Sequence, residues 1–208
     1  MFVAGHCCAP ASGASVDPRF RRALWIALVV NAVMFAIEIA GGVTADSVSL
    51  LADAVDFLGD AANYAVTLFV LALAPVWRSR AALIKGVSMG TYGVFVLAKA
   101  GWNAAVGVVP EPITMGAIGI LALAANLSVA FMLYAFRHGD ANMRSVWLCS
   151  RNDAIANVAV ILAAVGVVGT GTAWPDLIVA SMIALLAIIS SRSVLLQALE
   201  ELPRRRPV

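Results

Sequence analysis

Six long apolar segments, joined by short polar links, fix most of what this 208-residue chain can become. They run over 23–43, 47–74, 84–109, 113–136, 146–168 and 177–196. Each has the ~20 residues that a helix needs to cross a hydrocarbon core. In lipid every backbone N–H and C=O has to find its partner within the structure, and a helix satisfies its own. Hydrophobic residues make up 62% of the chain and charged residues 12%, and the mean hydropathy is +0.93. Soluble domains are roughly half apolar and a quarter charged, so lipid is the expected solvent. The predicted fold is all-α, a polytopic membrane bundle of six transmembrane helices. The links GGVTAD, APVWRSR, VPEP, RHGDANMR and GTGTAWPD are short, which predicts that successive helices are antiparallel neighbours.

Basic residues set the expected orientation. Arg19, Arg21 and Arg22 precede the first segment, Arg78, Arg80 and Lys85 follow the second, Arg137 and Arg144 flank the link after the fourth, and Arg204–Arg206 lie near the end. The alternate links GGVTAD, VPEP and GTGTAWPD hold no Lys or Arg. Under the positive-inside rule both termini are cytoplasmic. The domain plan is then a cytoplasmic tail over 1–22, a six-helix transmembrane domain over 23–196 and a short cytoplasmic tail over 197–208. No apolar core precedes the first arginines, so residues 1–22 do not read as a signal peptide. There is no G-x-x-x-x-G-K-[ST] loop to hold a nucleotide. The formal charge of +2 gives no reason to expect nucleic acid.

One segment breaks the apolar pattern. SVSLLADAVDFLGD, residues 47–60, carries Asp53, Asp56 and Asp60. An ionised carboxylate in hydrocarbon costs at least ~2.5 kcal/mol, so such residues persist where they are paired, hydrated or working. Asp56 and Asp60 stand at i and i+4, on one helix face, where they repel each other unless a cation or proton lies between them. The fifth segment repeats the spacing with Cys149 and Asp153, and Asn157 continues that stripe. At ~1.5 Å per residue the two pairs reach similar depth in a ~30 Å core. Three carboxylates and a thiolate make four ligands for a tetrahedral ion, and oxygen with sulfur suits Zn²⁺ or Cd²⁺. Asp53 and Asn157 are subsidiary candidates, Asn157 as an amide supporting the ligands. His6, Cys7 and Cys8 in the tail, and His138 and Asp140 in the fourth link, are peripheral candidates with a bland alternative in each case, a solvated tail or turn.

These residues resemble the first two helices of the cation diffusion facilitators, six-helix exporters of divalent metals. The resemblance rests on Asn31, Glu38, Gly42, the run Ser47–Ala54 and the acidic pair after it. It is weaker over 145–165. The family places a His/Asp-x-x-x-Asp pair on helix two and a His-x-x-x-Asp pair on helix five; here those positions read Asp56, Asp60, Cys149 and Asp153. The resemblance implies proton-coupled antiport by alternating access, in a homodimer, with Zn²⁺ as cargo and Cd²⁺, Co²⁺, Ni²⁺ or Mn²⁺ as further possibilities. The partners implied are divalent ions, protons and lipid, with no resident cofactor, and a bacterial cytoplasmic membrane as the setting.

Two departures stand out. Cys149 occupies the usual histidine position, which changes metal preference and pH response. The family's usual cytoplasmic C-terminal domain is not in the chain, so the dimer is expected to be held by transmembrane helices. Glu38 is expected to pair with Lys99, and Arg151 to snorkel to the cytoplasmic face. Two other functions fit the composition. An intramembrane aspartyl protease needs Gly-x-Gly-Asp before its aspartate, and Phe57-Leu58-Gly59 does not supply it. A metal sensor or hetero-oligomer subunit would bind the ion without moving it.

Overall fold

The computed structural model describes residues 18–70, 75–136 and 141–201, with side chains described throughout except at 70, 75–78, 141–149, 151–152 and 201. Six α-helices account for almost all of these residues: α1 (Pro18–Thr44), α2 (Val48–Ala65), α3 (Pro75–Val106), α4 (Pro112–Tyr134), α5 (Ala141–Thr170) and α6 (Trp174–Glu201). A π-helical turn, Val66–Val70, continues α2. Five of the helices, all but α2, contain a stretch long and apolar enough to cross a membrane. The exception is explained by its sequence, since three aspartates share the 18 residues of α2. Ile113, Phe131, Leu162 and Ile84 stand exposed on the outside of the bundle. An apolar exterior around a core that holds polar groups is the pattern of an integral membrane protein.

The helices end where the local chemistry stops them. Asp46 takes a left-handed backbone (φ 52°) just past α1, and Ser47 then caps α2 by accepting a hydrogen bond from the Leu50 amide at 3.3 Å. Gly107, at φ 76°, closes α3 with its N–H on the Asn103 carbonyl at 2.9 Å, a position that suits a residue without Cβ. Four helices, α1, α3, α5 and α6, are longer than the apolar segments alone predict. α3 begins at Pro75, inside the expected APVWRSR link, because proline at a first helical position has no N–H to waste. α6 takes in Trp174 to Asp176 and residues 197–201, and α1 takes in the arginines at 19, 21 and 22.

Helix α2 touches every other helix and so occupies the middle of the bundle. This position is why Asp53 and Asp60 are buried and Asp56 is half-buried. Around it α1 packs on α2, α3 packs most extensively on α6, and α4 on α5. One expectation from link length is overturned here. Among the described residues α3 and α4, joined by 107–111, make at most a slight contact, because α3 is held against α6 instead. A Cβ on Gly93 of α3 would meet the Ala184 carbonyl of α6 at 3.2 Å and Ile188 Cγ1 at 2.8 Å. The pair is pinned further along, where Ser191 Oγ donates to the Gly86 carbonyl at 2.7 Å.

The three links at one end of the bundle are tied together. The Ala45 carbonyl accepts from the Glu111 amide at 2.8 Å, and the Asp46 carbonyl from Asn103 Nδ2 at 3.3 Å. Asp176 of α6 accepts from Ser47 Oγ, Val48 N and Ser49 N at 2.7, 2.8 and 3.0 Å. This clasp holds the N-terminus of α2 in one place, and from it the depths of Asp53, Asp56 and Asp60 follow.

Candidate metal centre

Asp60 lies two turns before the π-helical stretch, on the face of α2 turned toward α5. Its Oδ2 accepts a hydrogen bond from the Tyr64 hydroxyl at 2.9 Å. Tyr64 Oη is also 3.0 Å from Ser150 Oγ on α5, so one phenol joins the two helices. The carboxyl of Asp60 is within hydrogen-bonding reach of that of Asp153. Asp56, one turn along α2, is near enough for its charge to act on Asp60 and Asp153. Three of the four predicted ligands therefore lie in one region between α2 and α5, with Asp60 buried and Asp56 and Asp153 half-buried. Among the described residues no three acid, cysteine or histidine side chains are gathered closely enough to enclose an ion. Asp60 and Asp153 make the close pair, and Asp56 stands off from them.

Cys149 belongs to α5, but its side chain lies outside the described residues, as does that of Arg151. His6, Cys7, Cys8, His138 and Asp140 also fall outside them. Asp53 is buried, and both its carboxyl oxygens lack a hydrogen-bond donor. Asn157 is buried on the predicted α5 stripe, and neither its oxygen nor its nitrogen has a partner. The expected Glu38–Lys99 ion pair does not form. Lys99 Nζ lies 3.9 Å from Asp46 Oδ1 at the tied end of the bundle, while Glu38 is buried facing Asp53. Seven residues along α3, roughly 10 Å, separate Lys99 from Tyr92, and Tyr92 is the α3 residue whose hydroxyl feels the Glu38 charge.

Sequence reasoning missed two groups at this centre. Tyr64 continues the i, i+4 stripe from Asp56 and Asp60, a spacing that would have singled it out. Lys85 reads as a flanking charge, yet it is buried, donates to Asn63 Oδ1, and lies where its charge acts on Asp60. No spacing within α3 announces that contact, because it depends on how α3 lies against α2.

Residues 24–202 match the cation efflux transmembrane domain. The chain belongs to that family. Cation efflux proteins are transporters and not enzymes, which removes the aspartyl protease. The chain is 27% identical over 176 residues to the metal cation efflux system protein CzcD of Cupriavidus metallidurans, covering 79% of this chain and 56% of the relative. It is 27% identical over 192 residues to the cadmium, cobalt and zinc/H(+)-K(+) antiporter of Bacillus velezensis, covering 84% and 60%. It is 26% identical over 209 residues to the zinc transporter ZitB of Escherichia coli, covering 92% and 65%. The cation efflux chain thus spans less than two thirds of the length of these relatives.

Proposed function

We propose that this chain carries the transport pathway of a divalent-cation exporter, which moves Zn²⁺, and Cd²⁺ with it, out of the cytoplasm in exchange for protons. The observation that carries the reading is the approach of Asp60 on α2 to Asp153 on α5, one buried and one half-buried carboxyl brought together from different helices. Asp56 and Cys149 complete the ligand set. Ligands bind metal only when deprotonated, so metal entry displaces protons and protonation expels metal. The thiolate supplies a soft donor and favours Cd²⁺ more than an imidazole would. Relatives whose names specify zinc, cadmium and cobalt transport support the cargo class.

The distribution of Lys and Arg supports cytoplasmic termini, so that the tied end of the bundle faces outward. The setting we infer is a bacterial cytoplasmic membrane, and the working unit a homodimer with a contact between transmembrane helices. Ions approach from the arginine-bearing side, are held between α2 and α5, and leave past the α1–α2 link after a change of access.

The test is zinc uptake into proteoliposomes containing this chain alone, with internal pH recorded together with internal zinc. Zinc entry with proton exit is expected, and Asp60→Asn or Asp60→Ala is expected to abolish both in protein that still elutes as a single species. Transport unchanged by these substitutions would overturn the site. Zinc binding without any flux would favour a sensor instead. Cys149→Ser and Cys149→His, compared over a panel of Zn²⁺, Cd²⁺ and Co²⁺, report whether the thiol coordinates.

A further inference from the structure

The most unusual polar group in the bundle is separate from the Asp56–Asp60–Asp153 centre. Glu38 of α1 and Asp53 of α2 are 0% and 1% exposed, and their carboxyls approach each other within hydrogen-bonding reach. None of their four oxygens receives a hydrogen bond from a protein donor. A buried acceptor without a donor costs about 1–3 kcal/mol, and more when charged. Two acceptors facing each other are stable only with something positive between them.

The surroundings add further unsatisfied oxygen. Asn157 is 0% exposed, with both amide atoms unpartnered. It stands one turn beyond Asp153 along α5, and Asp153 already feels the charge of Asp53. The Tyr92 hydroxyl of α3 is buried without a partner, near Glu38. Four helices thus bury polar atoms that have no protein partner. Glu38 is six residues from the end of α1, and Asp53 six residues after the Ser47 cap of α2. Both lie ~9 Å below the same link, whereas Asp60 is ~10 Å deeper.

We propose that Glu38 and Asp53 form a second station for the divalent cation between the main centre and the tied end. The proposal rests on the transport reading above and assigns a place on the exit route. Its donors are all oxygen, so it holds Zn²⁺ less tightly than a set that includes a thiolate. That order of affinity favours passage: the ion leaves a tighter site, pauses where the buried carboxylates need a cation, and is released when protons replace it. The unpaired acids in α1 and α2 then have a cause, because a permanent donor such as Lys99 would close the station.

The experiment measures Zn²⁺ binding to the full chain, purified in detergent, by equilibrium dialysis with zinc alone. Two equivalents of unequal affinity are expected for the wild type. Asp60→Asn should remove the tighter and keep the weaker. Glu38→Gln and Asp53→Asn, singly and together, should remove the weaker and keep the tighter, and turnover in proteoliposomes at saturating zinc should fall about tenfold. Glu38→Asp keeps the charge and should retain a weakened second equivalent, which distinguishes loss of a ligand from loss of fold. Unchanged stoichiometry in Glu38→Gln and Asp53→Asn overturns the proposal. It is equally overturned if Glu38→Gln removes only a deuterium-sensitive carboxylic acid band in the infrared, since the pair then holds a proton and no metal. If Asp60→Asn leaves the tighter equivalent intact, the main centre is misassigned, and the fate of the weaker equivalent in Glu38→Gln is still read separately.

Discussion

Ser47 Oγ donates to Asp176 Oδ1 at 2.7 Å, joining residues 129 positions apart in the sequence. The same carboxylate takes the Val48 and Ser49 amides at 2.8 and 3.0 Å, so the first turn of α2 is capped by α6. A carboxylate at a helix N-terminus is favoured by the exposed amides and by the helix dipole. Asp176→Ala leaves these buried donors without an acceptor and should lower stability by about 1–3 kcal/mol. Unfolding of the purified protein in detergent measures this, and Asp176→Asn should lie between the two.

Tyr64 holds Asp60 from the side and links it to Ser150. Tyr64→Phe keeps the ring in its buried place and removes only the hydroxyl. Loss of a group that orients a metal ligand commonly costs about 10–100-fold in affinity, so Zn²⁺ affinity should fall within that range, and the buried Asp60 oxygen left without this donor should lower stability by about 1–3 kcal/mol. Equal affinity in Tyr64→Phe and wild type would mean that the phenol does not position Asp60.

Lys99 and Asp46 form a long, partly exposed ion pair at 3.9 Å. Exposed pairs of this kind contribute about 0–1 kcal/mol. Lys99→Met should therefore shift the unfolding midpoint only slightly, as should Asp46→Asn. A loss of several kcal/mol in Lys99→Met would instead mean that the lysine serves a buried acid such as Glu38.

At Gly93, α3 and α6 come together with no room for a side chain. Gly93→Val forces the helices apart, and overpacking of this kind costs typically about 1–3 kcal/mol. Reduced thermal stability is the expected result, with Gly101→Ala as a control because nothing lies near that position.

Glu111 caps α4 from the link before it. Hydrogen bonds from Thr114, and then from the Ile113 amide, hold its carboxyl below the usual carboxylate range. The two amides lie 2.6 and 3.0 Å from its oxygens. A carboxyl depressed in the folded state lends support above its ordinary pKa of about 4.3 and loses it as pH falls through the lowered value. Amide exchange at Ile113 and Thr114 should accordingly be slow near neutral pH and lose protection on acidification. In Glu111→Gln the protection should no longer depend on pH in that range.

Much of the candidate centre was legible because its signals are local. Asp56 and Asp60 share a face through their i, i+4 spacing, and Asp153 with Asn157 marks the buried stripe of α5; both follow from helix geometry within a single segment. Lys85 and Asp176 were not legible in this way. Each looked like an ordinary residue beside a link, and each gained its role by meeting another helix, Lys85 at Asn63 and Asp176 at Ser47. The sequence suggests Lys99 as the partner of Glu38, whereas Asp53 faces it and Lys99 lies at Asp46, because pairing charges across a bundle needs the rotation of both helices.

By itself the sequence determined that lipid surrounds this chain, that its elements are helices, and that α2 and α5 carry the polar stripes. Hydropathy and helical periodicity act within one segment, and they require no knowledge of neighbours. Only the tertiary structure decided that α2 stands at the centre, that α3 packs on α6 far more than on α4, and that Glu38 faces Asp53 in place of Lys99. Those outcomes depend on which helix faces fit closely, as at Gly93 and Ala184, and close fit is a property of two surfaces that no single segment contains.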